Sequence, residues 1–126
     1  MASVRTRRAA VLRDRTRTNR ATARTRREIA TAARRVRTGA RALATHVLAT
    51  GATRETVKGV VRALRDHAKK NGIKGRAARI RRTIDGRARQ TVTVYRYTRA
   101  QVAAIVATYK PRKAEYKAVS AALAAA

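Results

Sequence analysis

The sequence has no cysteine, tryptophan or phenylalanine, a single proline and only six acidic residues. Without cysteine there is no disulfide framework, thiolate metal site or cysteine nucleophile, and the redox compartment is left open. The six acids (Asp14, Glu28, Glu55, Asp66, Asp85, Glu115) are scattered and supply no carboxylate pair for general acid-base work. His46 and His67 stand alone, so no metal-ligand set is expected, and both are read as helix-surface or interface positions. Gly72-Ile73-Lys74-Gly75 shares two glycines and a lysine with a phosphate-binding loop but lacks the strand and GKS/T context. The expectation is a protein that is not an enzyme and uses no cofactor, metal or small-molecule substrate.

Long apolar runs are missing too. No stretch approaches the roughly 18 residues of a membrane span, so no membrane association is expected. The hydrophobic share of 44% contains 29 alanines, leaving 12 Val, 5 Leu, 5 Ile, 4 Tyr and 1 Met for a small core. At 126 residues the chain fits one domain with a tail.

Positive charge dominates what is present: 33 Lys and Arg against six acids give a net charge of +27. Repulsion on that scale opposes compaction unless a polyanion neutralises it, which makes nucleic acid the expected partner. All 14 basic residues in positions 1 to 50 are arginine, whose planar fork grips phosphate in a bidentate manner. The Arg- and Thr-rich start resembles a mitochondrial presequence, but the basic character continues to Lys117, so the segment is read as an arm.

Residues 1–27 are expected to be a basic, flexible arm, because the Arg-Thr alternation offers little to bury. Residues 28–126 should form a single compact domain. From Glu28 to Ala49, the apolar residues Ile29, Ala33, Val36, Ala40, Leu43 and Val47 recur at helical spacing, with Gly39 a weak point and Thr50-Gly51 the stop. A second helix, capped by Thr53 and running to about Lys70, carries Val57, Val60, Val61, Leu64 and Ala68 on one side and ends at Asn71-Gly72. The two should pack antiparallel, with Arg34, Arg37, Arg41, Lys58, Arg62, Arg65 and Lys69 on their outer faces. Thr98-Arg99-Ala100-Gln101 is a capping box opening a helix with stripe Val102, Ile105, Val106 and Tyr109. Beyond Pro111, a last helix would bury Tyr116, Val119 and Leu123 before fraying at the terminal alanines.

Between the second and third helices, residues 77–97 admit two shapes. As a helix, 76–84 would expose Arg76, Arg79 and Arg82 and serve as the recognition helix of a winged helix-turn-helix, with Thr91–Tyr97 as wing. As a hairpin, a two-residue turn at Asp85-Gly86 splits the apolar residues between faces. A three-residue loop, Asp85-Gly86-Arg87, instead sets Ile84 against Ala88, Ile80 against Val92 and Ala78 against Val94. The other face then gathers Arg79, Arg81, Arg89, Thr91, Thr93, Tyr95 and Tyr97, while Arg76 and Arg82 fall on the apolar side near the ends. The hairpin sorts both strands, so the fold class expected is mainly α with one β-hairpin (α+β): an antiparallel helix pair, the hairpin, then one or two C-terminal helices.

The candidate nucleic-acid contacts are Arg5, Arg7, Arg8, Arg15, Arg17, Arg24 and Arg26 in the arm and Arg76, Arg79, Arg81, Arg82, Arg87, Arg89, Tyr95 and Tyr97 around the hairpin. Charge spread over several elements points to phosphate binding with modest sequence preference, and to double-stranded DNA over RNA. In composition the chain resembles nucleoid-associated and small viral DNA-binding proteins, without a diagnostic motif. The implied location is cytoplasmic, on the nucleoid or in a virion, with no visible secretion signal. The alternatives are an RNA-binding or ribosome-associated protein, and a virion structural protein that holds packaged genome, with a homo-oligomer as one form of the latter.

Overall fold

Ser3 accepts the amide of Thr6 at 3.2 Å and caps a 34-residue helix, α1 (Val4–Arg37), in the computed structural model, which describes residues 3–126. The expected flexible arm is therefore helical from Val4 onward, and its first two residues lie outside the described residues. Two physical effects account for the difference. Alanine and arginine are strong helix formers, and extending an anchored helix avoids the nucleation cost that an isolated segment would face. The threonines, poorer helix formers, turn their hydroxyls back onto carbonyls four residues earlier: Thr16 to Leu12, Thr18 to Asp14, Thr22 to Thr18 and Thr25 to Ala21, at 2.9–3.0 Å. Apart from Ala23, every residue from Ser3 to Glu28 is exposed, so this part is an arm in position if not in conformation.

The helix expected over 28–49 is divided. α1 stops at Arg37, and a separate short helix, α2 (Leu43–Ala49), carries the rest of the stripe. The break falls at Thr38-Gly39, the position of the weak glycine. There Thr38 bonds back to the Arg35 carbonyl, and Arg41 reaches the same carbonyl with Nε at 3.1 Å and the Thr38 hydroxyl at 3.3 Å. Arg41 thus caps α1 and is not an outer-face cation. Its backbone exchanges two hydrogen bonds, 2.9 and 2.7 Å, with Tyr97 in an isolated antiparallel bridge.

α2 packs against α3 (Arg54–Lys70) across a four-residue turn, Thr50–Thr53. Thr53 caps α3 as the sequence implies. At the other end, Ile73 donates to the Ala68 carbonyl at 3.0 Å while Gly72 takes φ +67, the left-handed closure that glycine allows. The capping box of α4 (Arg99–Thr108) is present in both directions, and α5 (Ala114–Ala125) runs through the alanines that were expected to fray. Leu43 and Val47 from α2, Val60, Val61, Leu64 and Ala68 from α3, Val102, Ile105 and Val106 from α4, Tyr109, and Val119 and Leu123 from α5 form one core. The stripes read from the sequence for these helices supply it. Ala32 and Val36 bury the last turns of α1.

Residues 76–84 do not form a recognition helix. Arg76–Arg82 is strand β1, paired antiparallel with β2 (Gln90–Arg96), giving five helices and one hairpin among the described residues, mainly α. Ile80 faces Val92 and Ala78 faces Val94, the register expected. The tip differs from the three-residue loop. The ladder ends at the Arg82–Gln90 pair, and a tight turn closes at Ile84, whose carbonyl accepts from Arg87 at 3.0 Å. Asp85 and Gly86 take φ +51 and +71, the paired positive values of a type I′ turn. The odd residue that keeps the apolar register is absorbed between this turn and Gln90.

Candidate nucleic-acid interface

The outer face of the hairpin comes from strand alternation alone. Arg79 opposite Thr93 and Arg81 opposite Thr91 are exposed, and Tyr95 opposite Ala77 stands 56% exposed. Ala78, Ile80, Val92 and Val94 on the other side are half-buried, and each strand's main packing partner is the other strand. Arg76 and Arg82 sit at the two ends of the ladder and are exposed; Arg87 and Arg89 are exposed in the connection. The hairpin therefore presents its cations on a projecting two-stranded ribbon.

Tyr97 does not belong to this surface. It is only 8% exposed and is part of the core. Alternation puts it on the same side as Tyr95, but one step beyond the ladder the opposing residue is Gly75, and the tyrosine ring lies over the space where a side chain would stand. Its carbonyl accepts from the Nε2–H of His46 at 2.7 Å and from the Arg41 amide, which ties the hairpin base to α2. His46 is accordingly a buried structural residue, not a surface one, and burial holds its pKa below the usual 6.5 against the raising effect of its backbone hydrogen bonds. Gly72 and Gly75 end a helix and admit a tyrosine ring; neither forms a phosphate loop.

A second basic surface lies on α3. Lys58, Arg62, Arg65 and Lys69, at steps of four, three and four, are all exposed and form a row flanking the core stripe Val60, Val61, Leu64 and Ala68, with Glu55 and Asp66 three or four residues from its members. All four stand on the outer helix faces that the sequence implies, outside the arm and hairpin contact set, and their own spacing of four, three and four is the signal that marks them as one row. Glu55 in the first turn complements the positive end of the helix dipole.

The arm candidates Arg5, Arg7, Arg8, Arg15, Arg17, Arg24 and Arg26 are all exposed on α1, and the helix separates them. Arg17 and Arg24 share one face. Arg7, Arg8, Arg15 and Arg26 extend the opposite side, the line of Ile29, Ala33 and Val36 by which α1 approaches the core. Arg5 lies on the flank.

Among the described residues no helix is long and apolar enough to cross a membrane. Compared with protein-family models, with curated proteins and with solved structures, the chain matches none.

Proposed function

We propose that this protein binds double-stranded DNA through α3 and the hairpin, mainly by phosphate contacts, in the manner of a nucleoid-associated or viral-type protein. The observation that carries the reading is the row Lys58, Arg62, Arg65 and Lys69, exposed along α3 beside the stripe that the helix buries in the core. The order of elements supports it: a short helix, a four-residue turn containing Gly51, a longer helix, then a basic hairpin bridged at its base, through Tyr97, to Arg41 two residues ahead of the short helix. That is the order of a winged helix-turn-helix, with α3 in the recognition position and the hairpin as wing. Fold order alone does not assign function, and the charges on α3 carry the reading.

An α-helix fits the major groove of B-form DNA, whereas the deep, narrow major groove of A-form RNA excludes it, which favours DNA. Residues 54–70 contain no Asn or Gln, the side chains that read adenine, so base reading by α3 would fall to Arg62 and Arg65 and sequence preference should be modest.

Fluorescence anisotropy with a labelled duplex across a salt series tests the reading. The logarithm of the binding constant should fall steeply with the logarithm of salt, and duplex DNA should outcompete duplex RNA. A flat salt dependence overturns the proposal, and preference for RNA replaces it with the RNA-binding alternative.

A further inference from the structure

Within the helical arm, Arg13, Arg17, Arg20, Arg24 and Arg27 recur at steps of four, three, four and three, all exposed. This spacing places all five on one face of α1, in a seam about 21 Å long at 1.5 Å per residue. The seam lies on the side of α1 away from Ile29, Ala33 and Val36. The one acid in the arm, Asp14, is not part of it. A helix face that is merely solvated mixes charges of both signs at these spacings, since like charges at i, i+3 and i, i+4 destabilise a free helix. Here five cations stand in register and only two acids lie at these spacings, Asp14 three residues before Arg17 and Glu28 four after Arg24, so the line keeps a net charge of three that a continuous line of negative charge would neutralise.

We propose that this seam is a second DNA surface, in which α1 lies along the phosphates of one strand of the duplex while α3 and the hairpin hold the adjoining segment. The inference rests on the DNA-binding reading above and adds the site, its residues and its geometry. Arginine suits the role because its fork pairs with phosphate oxygens in a bidentate way. The arm, exposed from Ser3 to Glu28 apart from Ala23, leaves that face open to a ligand.

Two full-length variants with equal charge loss separate geometry from net charge. In the seam variant, Arg13, Arg17, Arg20, Arg24 and Arg27 become Gln; in the matched variant, Arg5, Arg7, Arg8, Arg15 and Arg26 become Gln. Near physiological salt the seam variant should lose about tenfold more duplex affinity, and its salt slope should drop by about 4 while the matched variant's changes less. A third variant, Ala21→Pro, keeps every charge but breaks the helix between Arg20 and Arg24. It should lose affinity comparably to the seam variant, with the melting temperature of the core unchanged. Equal losses in the two five-residue variants, or full affinity in Ala21→Pro, overturn the seam. If the wild-type chain binds steeply with salt and the two variants match, the DNA reading stands and only the seam falls. If the wild-type chain does not bind duplex DNA, both fall.

Discussion

Gly75 and Tyr97 meet at the base of the hairpin so closely that a Cβ on Gly75 would lie 2.9 Å from two ring carbons of Tyr97 and 3.0 Å from the carbonyl oxygen of Arg96. The glycine is there for space, because its backbone does not need the left-handed region. Gly75→Ala should therefore destabilise the protein by about 1–3 kcal/mol through overpacking. Thermal or urea unfolding measures this, and an unchanged midpoint would contradict the contact.

The two neighbouring tyrosines should respond in opposite ways. Tyr97→Ala removes a buried ring and should cost about 3–5 kcal/mol of stability, in the range of large aromatic truncations. Tyr95→Ala should leave stability within about 0.5 kcal/mol, as exposed substitutions do, and weaken DNA binding instead. Unfolding and anisotropy on both variants check the division.

That division also marks what could be read in advance. Strand alternation correctly paired Ile80 with Val92 and put Tyr95 outside, because the period of two needs only local information. It failed at Tyr97, whose side is decided by a glycine and a bridge to Arg41, contacts remote in sequence. Similarly, the stripes of α3, α4 and α5 were legible from spacing, and the hairpin's outer cations followed from register. The break at Gly39 was legible only as a weakness, since its cause is the pairing of Arg41 with Tyr97 more than fifty residues away. The arm's helix was not legible because a segment with nothing to bury shows no stripe, although absence of burial does not mean absence of helix. The common face of Arg13, Arg17, Arg20, Arg24 and Arg27 exists only once residues 4–37 are helical.

His46 makes stability depend on pH. Its folded pKa is held below 6.5 by burial, so the unfolded chain takes up the proton first as pH falls. The contribution is fully present above pH 6.5 and is lost as pH drops below that value toward the folded pKa, with a slope of up to about 1.4 kcal/mol per unit. His46→Gln keeps a donor for the Tyr97 carbonyl without a titrating group. Melting temperatures from pH 7.5 to about 5 should fall in the wild-type chain and fall less in the variant, if the linkage through the protonated imidazole holds.

Removal of residues 2–27 should weaken DNA binding and reduce its salt slope while the core stays folded, because only Ala23 in that span is partly buried among the described residues. Circular dichroism should show the lost helix and an unchanged unfolding midpoint. Collapse of the transition would mean that the arm supports the core.

The central claim, that α3 presents the DNA surface, is tested most directly by two variants of equal charge. One replaces Lys58, Arg62, Arg65 and Lys69 with Gln; the other replaces Lys110, Arg112, Lys113 and Lys117, which are equally exposed around α5. In duplex titrations across salt, the α3 variant should lower the slope by about 3 to 4 and lose most of the affinity, and the α5 variant should change little. Equal losses in the two would contradict the account, because binding would then follow net charge and not the face of α3.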